Sequence, residues 1–232
     1  MRHKIASITQ LLRLPAICDL CSQYHTGPFA ICAACISLMT PIGPACSSCA
    51  CPLPSGSFLV CGHCSRKKPD IDRVITAYCF EEPLRTLLHE FKYREGLHLL
   101  TFLTALMLEA LPTEGYKSEC LIPVPMHPIR LKQRGFNQAA ELAKQLSQII
   151  KIPFDLFNCT KIINTLPQAG LDAQTRRKNL LQAYDVQPKH YQHVTLIDDL
   201  MTTGSTANEL ARTLKKQGVS RVDLWCCARV SV

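Results

Sequence analysis

From residue 74 onward, the chain alternates short apolar runs with stretches of helical periodicity. Residues 74–80 form an apolar run of strand length. Glu82-Pro83 then opens a helix that sets Leu84, Leu87, Leu88 and Phe91 on one face. After a break at residues 92–96, residues 97–111 predict a second helix. Residues 121–128 predict a strand stopped by prolines, followed by Phe136, Ala139, Ala143, Leu146 and Ile150 at helical spacing. Residues 194–197 are a β-rich apolar run, and Ala207, Leu210, Ala211 and Leu214 mark a helix that ends near Gln217-Gly218. Residues 221–230, with Trp225, Cys226 and Cys227, predict the last strand. Strands alternating with helices predict an α/β fold with an open, mostly parallel sheet.

The first 68 residues break this pattern. They hold few large apolar residues but carry four Cys-x-x-Cys pairs: Cys18 and Cys21, Cys32 and Cys35, Cys46 and Cys49, Cys61 and Cys64. Such a knuckle sets two sulfurs on one side of a tight turn, and two knuckles complete a tetrahedron around zinc. Two sequential four-cysteine zinc sites are the simplest assignment, although the spacing also allows the first knuckle to pair with the third. Four protein ligands leave no open position, so both sites are expected to be structural. Cys51 lies outside the pattern, and Cys79, Cys120, Cys159, Cys226 and Cys227 sit in apolar settings as expected core residues. A polar, basic stretch at residues 65–70 predicts a boundary between a metal-built domain, 1–68, and a second domain, 69–232. Because the cysteine region is expected to lie outside the sheet, loss of Cys18 or Cys46 is expected to unfold that region yet leave ligand binding largely intact.

Ile5, Ile8, Leu11 and Leu12 are interleaved with Ser7, Thr9 and Gln10, which predicts an amphipathic first helix rather than an export signal. Residues 97–111, the longest apolar stretch, are broken by His98, Thr101, Thr104 and Glu109, so no membrane insertion is expected. A cytoplasmic location follows, where fourteen cysteines are better explained by metal than by disulfides. The formal charge of +8 suggests a nucleic-acid partner. However, two zinc ions held by eight thiolates bring the chain to about +4, which weakens the electrostatic case for DNA.

The densest chemistry lies at residues 198–206. Asp198 and Asp199 stand at the end of an apolar run, and Thr202, Thr203, Gly204, Ser205 and Thr206 follow just before a helix. Amides in such a turn, backed by the positive end of the helix, suit a phosphate, and the hydroxyls can donate to the same oxygens. The carboxylates suit sugar hydroxyls or a hydrated Mg²⁺. Together they point to a sugar phosphate. Arg130, Lys132 and Arg134 cluster just before the helix that carries Ala139, where cations are unfavourable unless an anion binds. Lys92 and Arg94 are either solvated ends or face an anionic ligand.

Residues 198–206 resemble the phosphoribosyl pyrophosphate (PRPP) loop of the type I phosphoribosyltransferases. That resemblance implies that Asp198 and Asp199 hold the ribose hydroxyls and residues 202–206 the 5′-phosphate. Pro-Val-Pro-x-His-Pro-x-Arg-x-x-x-Arg-Gly-Phe-Asn-Gln at 123–138 narrows it, together with Phe91-Lys92-Tyr93, Gln168-Ala169-Gly170-Leu171 and Arg176-Arg177-Lys178-Asn179. The chain is thus similar to the ComF/GntX family of competence-associated proteins, in which a double zinc ribbon precedes a phosphoribosyltransferase domain. The resemblance implies pyrophosphate ligands among Arg130, Arg134, Arg176 and Arg177, with 165–181 as a loop closing over the site. Two functions are compatible with it. One is Mg²⁺-dependent transfer of phosphoribosyl from PRPP with release of pyrophosphate. The other is a non-catalytic PRPP-sensing or nucleic-acid-associated adaptor, partnered by single-stranded DNA or by DNA-uptake and recombination proteins.

Overall fold

The computed structural model describes residues 15–54, 59–112, 116–163, 183–187 and 189–230. The expected first helix and the 165–181 loop lie outside them. The strands in chain order are β1 (Ala16–Ile17), β2 (Tyr24–His25), β3 (Arg73–Ile75), β4 (Tyr78–Cys79), β5 (Cys120–Pro123), β6 (Cys159–Lys161), β7 (Tyr184–Val186), β8 (His193–Met201) and β9 (Arg221–Arg229).

The central sheet is wholly parallel in the order β3–β9–β8–β5, with β4 pairing farther along the same edge of β9. The expected strand over 74–80 is therefore interrupted, since Thr76 between the two pieces donates its hydroxyl to the Cys227 carbonyl at 3.3 Å. Apolar side chains on β9 alternate with the period of two that a strand imposes. Trp225 and Cys227 face one core, while Val222, Leu224 and Cys226 face the other. Burial on both faces explains the near-continuous apolar sequence of this strand.

Helices Leu84–Glu90, Leu100–Glu109 and Gln138–Ile150 cover the Trp225 face through Leu87, Leu103, Leu106, Leu142 and Leu146, all within 2% of full burial. Helix Ser205–Lys216 covers the opposite face through Ala207, Leu210, Ala211 and Leu214. The indole of Trp225 donates to the Met107 carbonyl at 3.0 Å, which satisfies the one polar atom of the largest core side chain.

Two local readings are corrected. The helix expected from residue 97 opens as a 3₁₀ turn, Arg94–Leu99, before the α-helix Leu100–Glu109. The basic stretch after the prolines is itself a helix, Pro128–Arg134. Its first position is Pro128, its cap is the His127 ring accepting from the Ile129 amide, and its stop is Gly135 at φ 88°. Lys132 and Arg134 thus occupy a last turn, where cations are favourable, and their position is no longer an argument for an anion.

The cysteine-rich region packs against the sheet instead of standing apart from it. Cys18, Cys32, Cys35, Ile31 and Met39 belong to the core on the Trp225 face, whereas Ala50 belongs to the opposite core. Between them, residues 40–42 run antiparallel to β4, with Cys79 donating to the Thr40 carbonyl at 2.9 Å and Ile42 to Ala77 at 2.7 Å. This covers an edge that would otherwise be open to pairing with another chain.

Gly96 closes the turn that follows Phe91. A Cβ there would lie 2.3 Å from the Glu90 carbonyl oxygen and 2.7 Å from the Phe91 Cα, both backbone atoms that cannot swing aside. Gly96→Ala should lower stability by about 1–3 kcal/mol, as overpacking does elsewhere. Urea denaturation of the variant measures it.

Candidate functional site

β8 runs four residues farther than the apolar run alone predicts, because Asp198, Leu200 and Met201 remain paired with Cys226, Ala228 and Arg229 of β9. The two acids therefore project from a rigid strand, at its C-terminal end, where open parallel sheets place their ligands. The chain then turns through residues 202–204 into helix Ser205–Lys216. Gly204 adopts φ 74°, and a Cβ there would also lie 2.4 Å from the Met201 methyl, so both backbone and space call for glycine. Thr203 and Ser205 share a hydroxyl contact of 2.9 Å, and the Ser205 amide donates to the Thr203 hydroxyl at 3.4 Å. The turn thus gathers hydroxyls and amides at the positive end of a three-turn helix.

Around the half-buried Asp198, Lys92, Lys161 and the phenol of Tyr184 gather from other parts of the chain, with Arg130 near Lys161. Burial, then the charge and hydrogen bond of Asp199, raise the Asp198 carboxyl well above the ordinary range, with Lys92 opposing. Lys92 thus lies within electrostatic reach of Asp198. Its carbonyl accepts from Gln138 Nε2 at 3.1 Å, which ties this turn to the Gln138–Ile150 helix. Lys161, at the end of β6, is lowered by burial and then by Arg130, with Asp198 acting in the other direction. Its ammonium lies 5.8 Å from the centre of the Tyr184 ring. The Tyr184 hydroxyl is buried and, although Thr206 faces it, no hydrogen bond of full geometry forms there among the described residues. Burial, then the Asp198 charge, push the phenol upward, so it remains a donor. Arg134 is committed to Gln138 Oε1 at 2.9 Å.

β6 and β7, which carry Lys161 and Tyr184, form their own antiparallel pair beside the main sheet. Arg176 and Arg177 lie between them in sequence and outside the described residues.

The eight knuckle cysteines meet as two sets in sequence order: Cys18, Cys21, Cys32 and Cys35, then Cys46, Cys49, Cys61 and Cys64, each set with its sulfurs within 4.8 Å of one another. This decides for sequential over interleaved pairing. A tetrahedron with Zn–S bonds of about 2.3 Å has corners about 3.8 Å apart. The Cys21–Cys32 and Cys49–Cys61 sulfurs stand 3.8 Å and 3.7 Å apart. Amides of Cys32, Cys35 and Cys64 donate to the sulfurs of Cys18, Cys32 and Cys61, which favours thiolates. Burial, then the neighbouring sulfurs, push the Cys35 thiol up to about 12 and Cys64 upward as well. Four thiolates at this spacing call for a cation among them, so each set can hold a structural zinc ion. Cys51 takes no part through its sulfur, but its carbonyl accepts from the Cys46 amide at 2.9 Å and closes the knuckle.

Sequence reasoning singled out the acids, the turn and the cysteines, but not Lys161, Tyr184 or Arg229, which the fold brings near them. The last was read as part of an apolar strand. Arg229 is 4% exposed, and its guanidinium donates to the carbonyls of Cys49 at 3.1 Å, Met201 at 3.3 Å, Val230 at 2.6 Å and Thr202. A charged residue inside a buried strand was the available signal. The second cysteine set is thereby bonded to the start of the turn, which corrects the expectation that the cysteine region lies outside the sheet.

Fold and site together define an α/β protein in which two four-cysteine modules precede an open parallel sheet with paired acids at a strand end. The chain is 32% identical over 226 residues to DNA utilization protein YhgH of Escherichia coli O157:H7, spanning 94% of this chain and 99% of that protein. It is 36% identical over 179 residues to competence protein F of Haemophilus influenzae, spanning 73% of this chain and 78% of that one. The chain belongs to the family of these proteins, the ComF family. Among solved structures, a purine phosphoribosyltransferase from Pyrococcus horikoshii Ot3 covers 56% of this chain and 70% of its own, with a TM-score of 0.32 and 17% identity. No protein-family model matches the chain. Among the described residues, no helix is long and apolar enough to cross a membrane.

A carboxyl raised by folding holds its proton to higher pH in the native state than in the unfolded chain. Between the ordinary carboxylate range and the raised value, stability therefore falls as pH rises. Asp198→Asn should accordingly make the ligand-free protein more stable near neutral pH than the parent and flatten the decline above the acid range. Chemical denaturation across a pH series checks both.

Proposed function

We propose that the site binds Mg²⁺-PRPP and transfers its phosphoribosyl group to an acceptor with release of pyrophosphate. In this reading residues 69–232 carry the site, residues 1–68 hold two structural zinc ions, and the protein acts in the cytoplasm. The observation that carries it is the pair Asp198 and Asp199 on the end of β8, immediately before a hydroxyl-rich turn at a helix N-terminus. Asp198 and Asp199 accept hydrogen bonds from the ribose hydroxyls. The amides and hydroxyls of Thr202, Thr203, Gly204, Ser205 and Thr206 hold the 5′-phosphate. Lys92, Arg130 and Lys161 supply positive charge on the side where Asp198 stands.

The acceptor's lone pair forms a bond to ribose C1 as the bond from C1 to the pyrophosphate oxygen breaks, and positive charge grows on the ring in between. Side-chain cations fixed before the reaction offset the charge of the leaving group. Mg²⁺, when bound, adds to that compensation on the pyrophosphate oxygens.

The names of the relatives, DNA utilization and competence, favour a second reading in which the site binds PRPP as a signal within a DNA-handling system. A binding site of this kind does not by itself establish turnover. Incubation with Mg²⁺-PRPP and candidate acceptors separates the two: pyrophosphate release supports transfer, and tight PRPP binding without release supports sensing.

Asp198→Asn combined with Asp199→Asn should weaken PRPP at least tenfold, since each charged hydrogen bond contributes about 1.5–3 kcal/mol. Thr203→Val removes a phosphate donor and should weaken ribose 5-phosphate as much as PRPP. Calorimetry with both ligands tests this, and unchanged PRPP affinity in the double variant rejects the assignment. Metal analysis of protein purified without chelator should give about two zinc ions per chain.

A further inference from the structure

We propose that Arg229 is a positioning residue through which the Cys46–Cys64 metal module braces the phosphate-binding turn. Its functional meaning rests on the phosphate reading of residues 202–206.

The guanidinium is a planar fork that stays charged at all accessible pH, and here it is 4% exposed with its hydrogen bonds directed to main-chain carbonyls. One arm, Nε, reaches the Cys49 carbonyl at 3.1 Å, inside the third knuckle. The other arm, Nη1, reaches the carbonyls of Met201 and Thr202 at the exit of β8. The arginine itself cannot drift, because its own main chain is paired with Met201 on one side and Cys79 on the other.

The peptide plane turns these contacts into an orientation for the ligand site. A carbonyl and the amide N–H that follows it are coplanar and point in opposite directions. Holding the Thr202 oxygen toward Arg229 therefore aims the Thr203 N–H away from it and fixes one amide of the turn. Four thiolates on one metal ion set the shape of the third knuckle, and so the position of the Cys49 carbonyl.

A pair of hydrogen bonds ties the segment that follows the module to the helix after the turn. Asp70, just beyond the module, accepts from Asn208 Nδ2 at 3.0 Å, and its amide donates to Asn208 Oδ1 at 2.6 Å. The turn is thus gripped before Thr203 from the metal module, and again one turn into its helix from the segment just after that module.

Hydrogen–deuterium exchange on the ligand-free full-length protein tests the brace without any ligand. The variants are Arg229→Met, Arg229→Lys and Cys64→Ser, with zinc content measured on each. Peptides covering residues 199–209 should exchange about tenfold faster in Arg229→Met with both zinc ions retained, as loss of a charged hydrogen bond implies. They should do so equally in Cys64→Ser with one zinc lost, and combining the two changes should add nothing. Arg229→Lys should fall between parent and Arg229→Met. The interiors of β8 and β9, residues 194–197 and 222–227, should stay protected throughout.

Unchanged exchange at 199–209 after Arg229→Met overturns the proposal. So does a rise spread equally through the strand interiors, which would mark general destabilisation. If Cys64→Ser does not fold, Arg229→Met against Arg229→Lys carries the test. Ribose 5-phosphate affinity, expected to fall about tenfold with the loosened turn, reads the other layer. A turn that loosens in a protein whose parent form never binds ribose 5-phosphate upholds the brace and rejects the phosphate reading.

Discussion

The parallel pairing of β8 with β9 is the constraint on which the site depends. Eight register pairs run from His193 opposite Arg221 to Met201 opposite Arg229, and they hold β8 extended past its apolar run. Without that pairing, Asp198 and Asp199 would open a loop. With it, two acids are carried to the rim of the sheet on a backbone whose hydrogen bonds are already made. The strand's partners also decide what surrounds the acids. β5 on one side leads into the Pro128–Arg134 helix with Arg130, and β9 on the other brings Arg229 beneath the turn.

This placement leaves an electrostatic imbalance inside the site. Two carboxyls stand side by side, and the cations near them come from distant segments: Lys92 after the first helix of the sheet domain, Lys161 at the end of β6. Lys161 is itself pulled down by burial and by Arg130, and Asp198 is raised by burial and by Asp199. Groups whose ionisation is shifted by burial and neighbouring charge are common where a ligand binds. The same logic governs the cysteine modules, where crowded sulfurs form a set that a cation can reconcile.

Local signals were legible in the sequence, and tertiary ones were not. The cysteine spacing identified the knuckles because two sulfurs on one tight turn are a property of four consecutive residues. The acids and the Thr-Thr-Gly-Ser-Thr turn were readable for the same reason, as strand, glycine and helix cap follow one another directly. The Pro128–Arg134 helix escaped because a seven-residue helix is too short to show a periodicity, and its boundaries are set by a proline start and a glycine stop. Lys161 and Tyr184 escaped because they come together only when β6 and β7 pair across more than twenty residues of sequence. Arg229 ends a strand whose apolar neighbours dominated its reading.

The Tyr184 hydroxyl, buried between Asp198 and Thr206 with no hydrogen bond of full geometry among the described residues, has a thermodynamic consequence. Most hydrogen bonds to a ligand exchange one made with water for one made with protein, and the net gain is small. Here the hydroxyl has already been stripped of water by folding. An acceptor atom that reaches it forms its bond in surroundings of low polarity with that dehydration complete, so this contact should discriminate between otherwise similar ligands far more sharply than one made at the exposed turn.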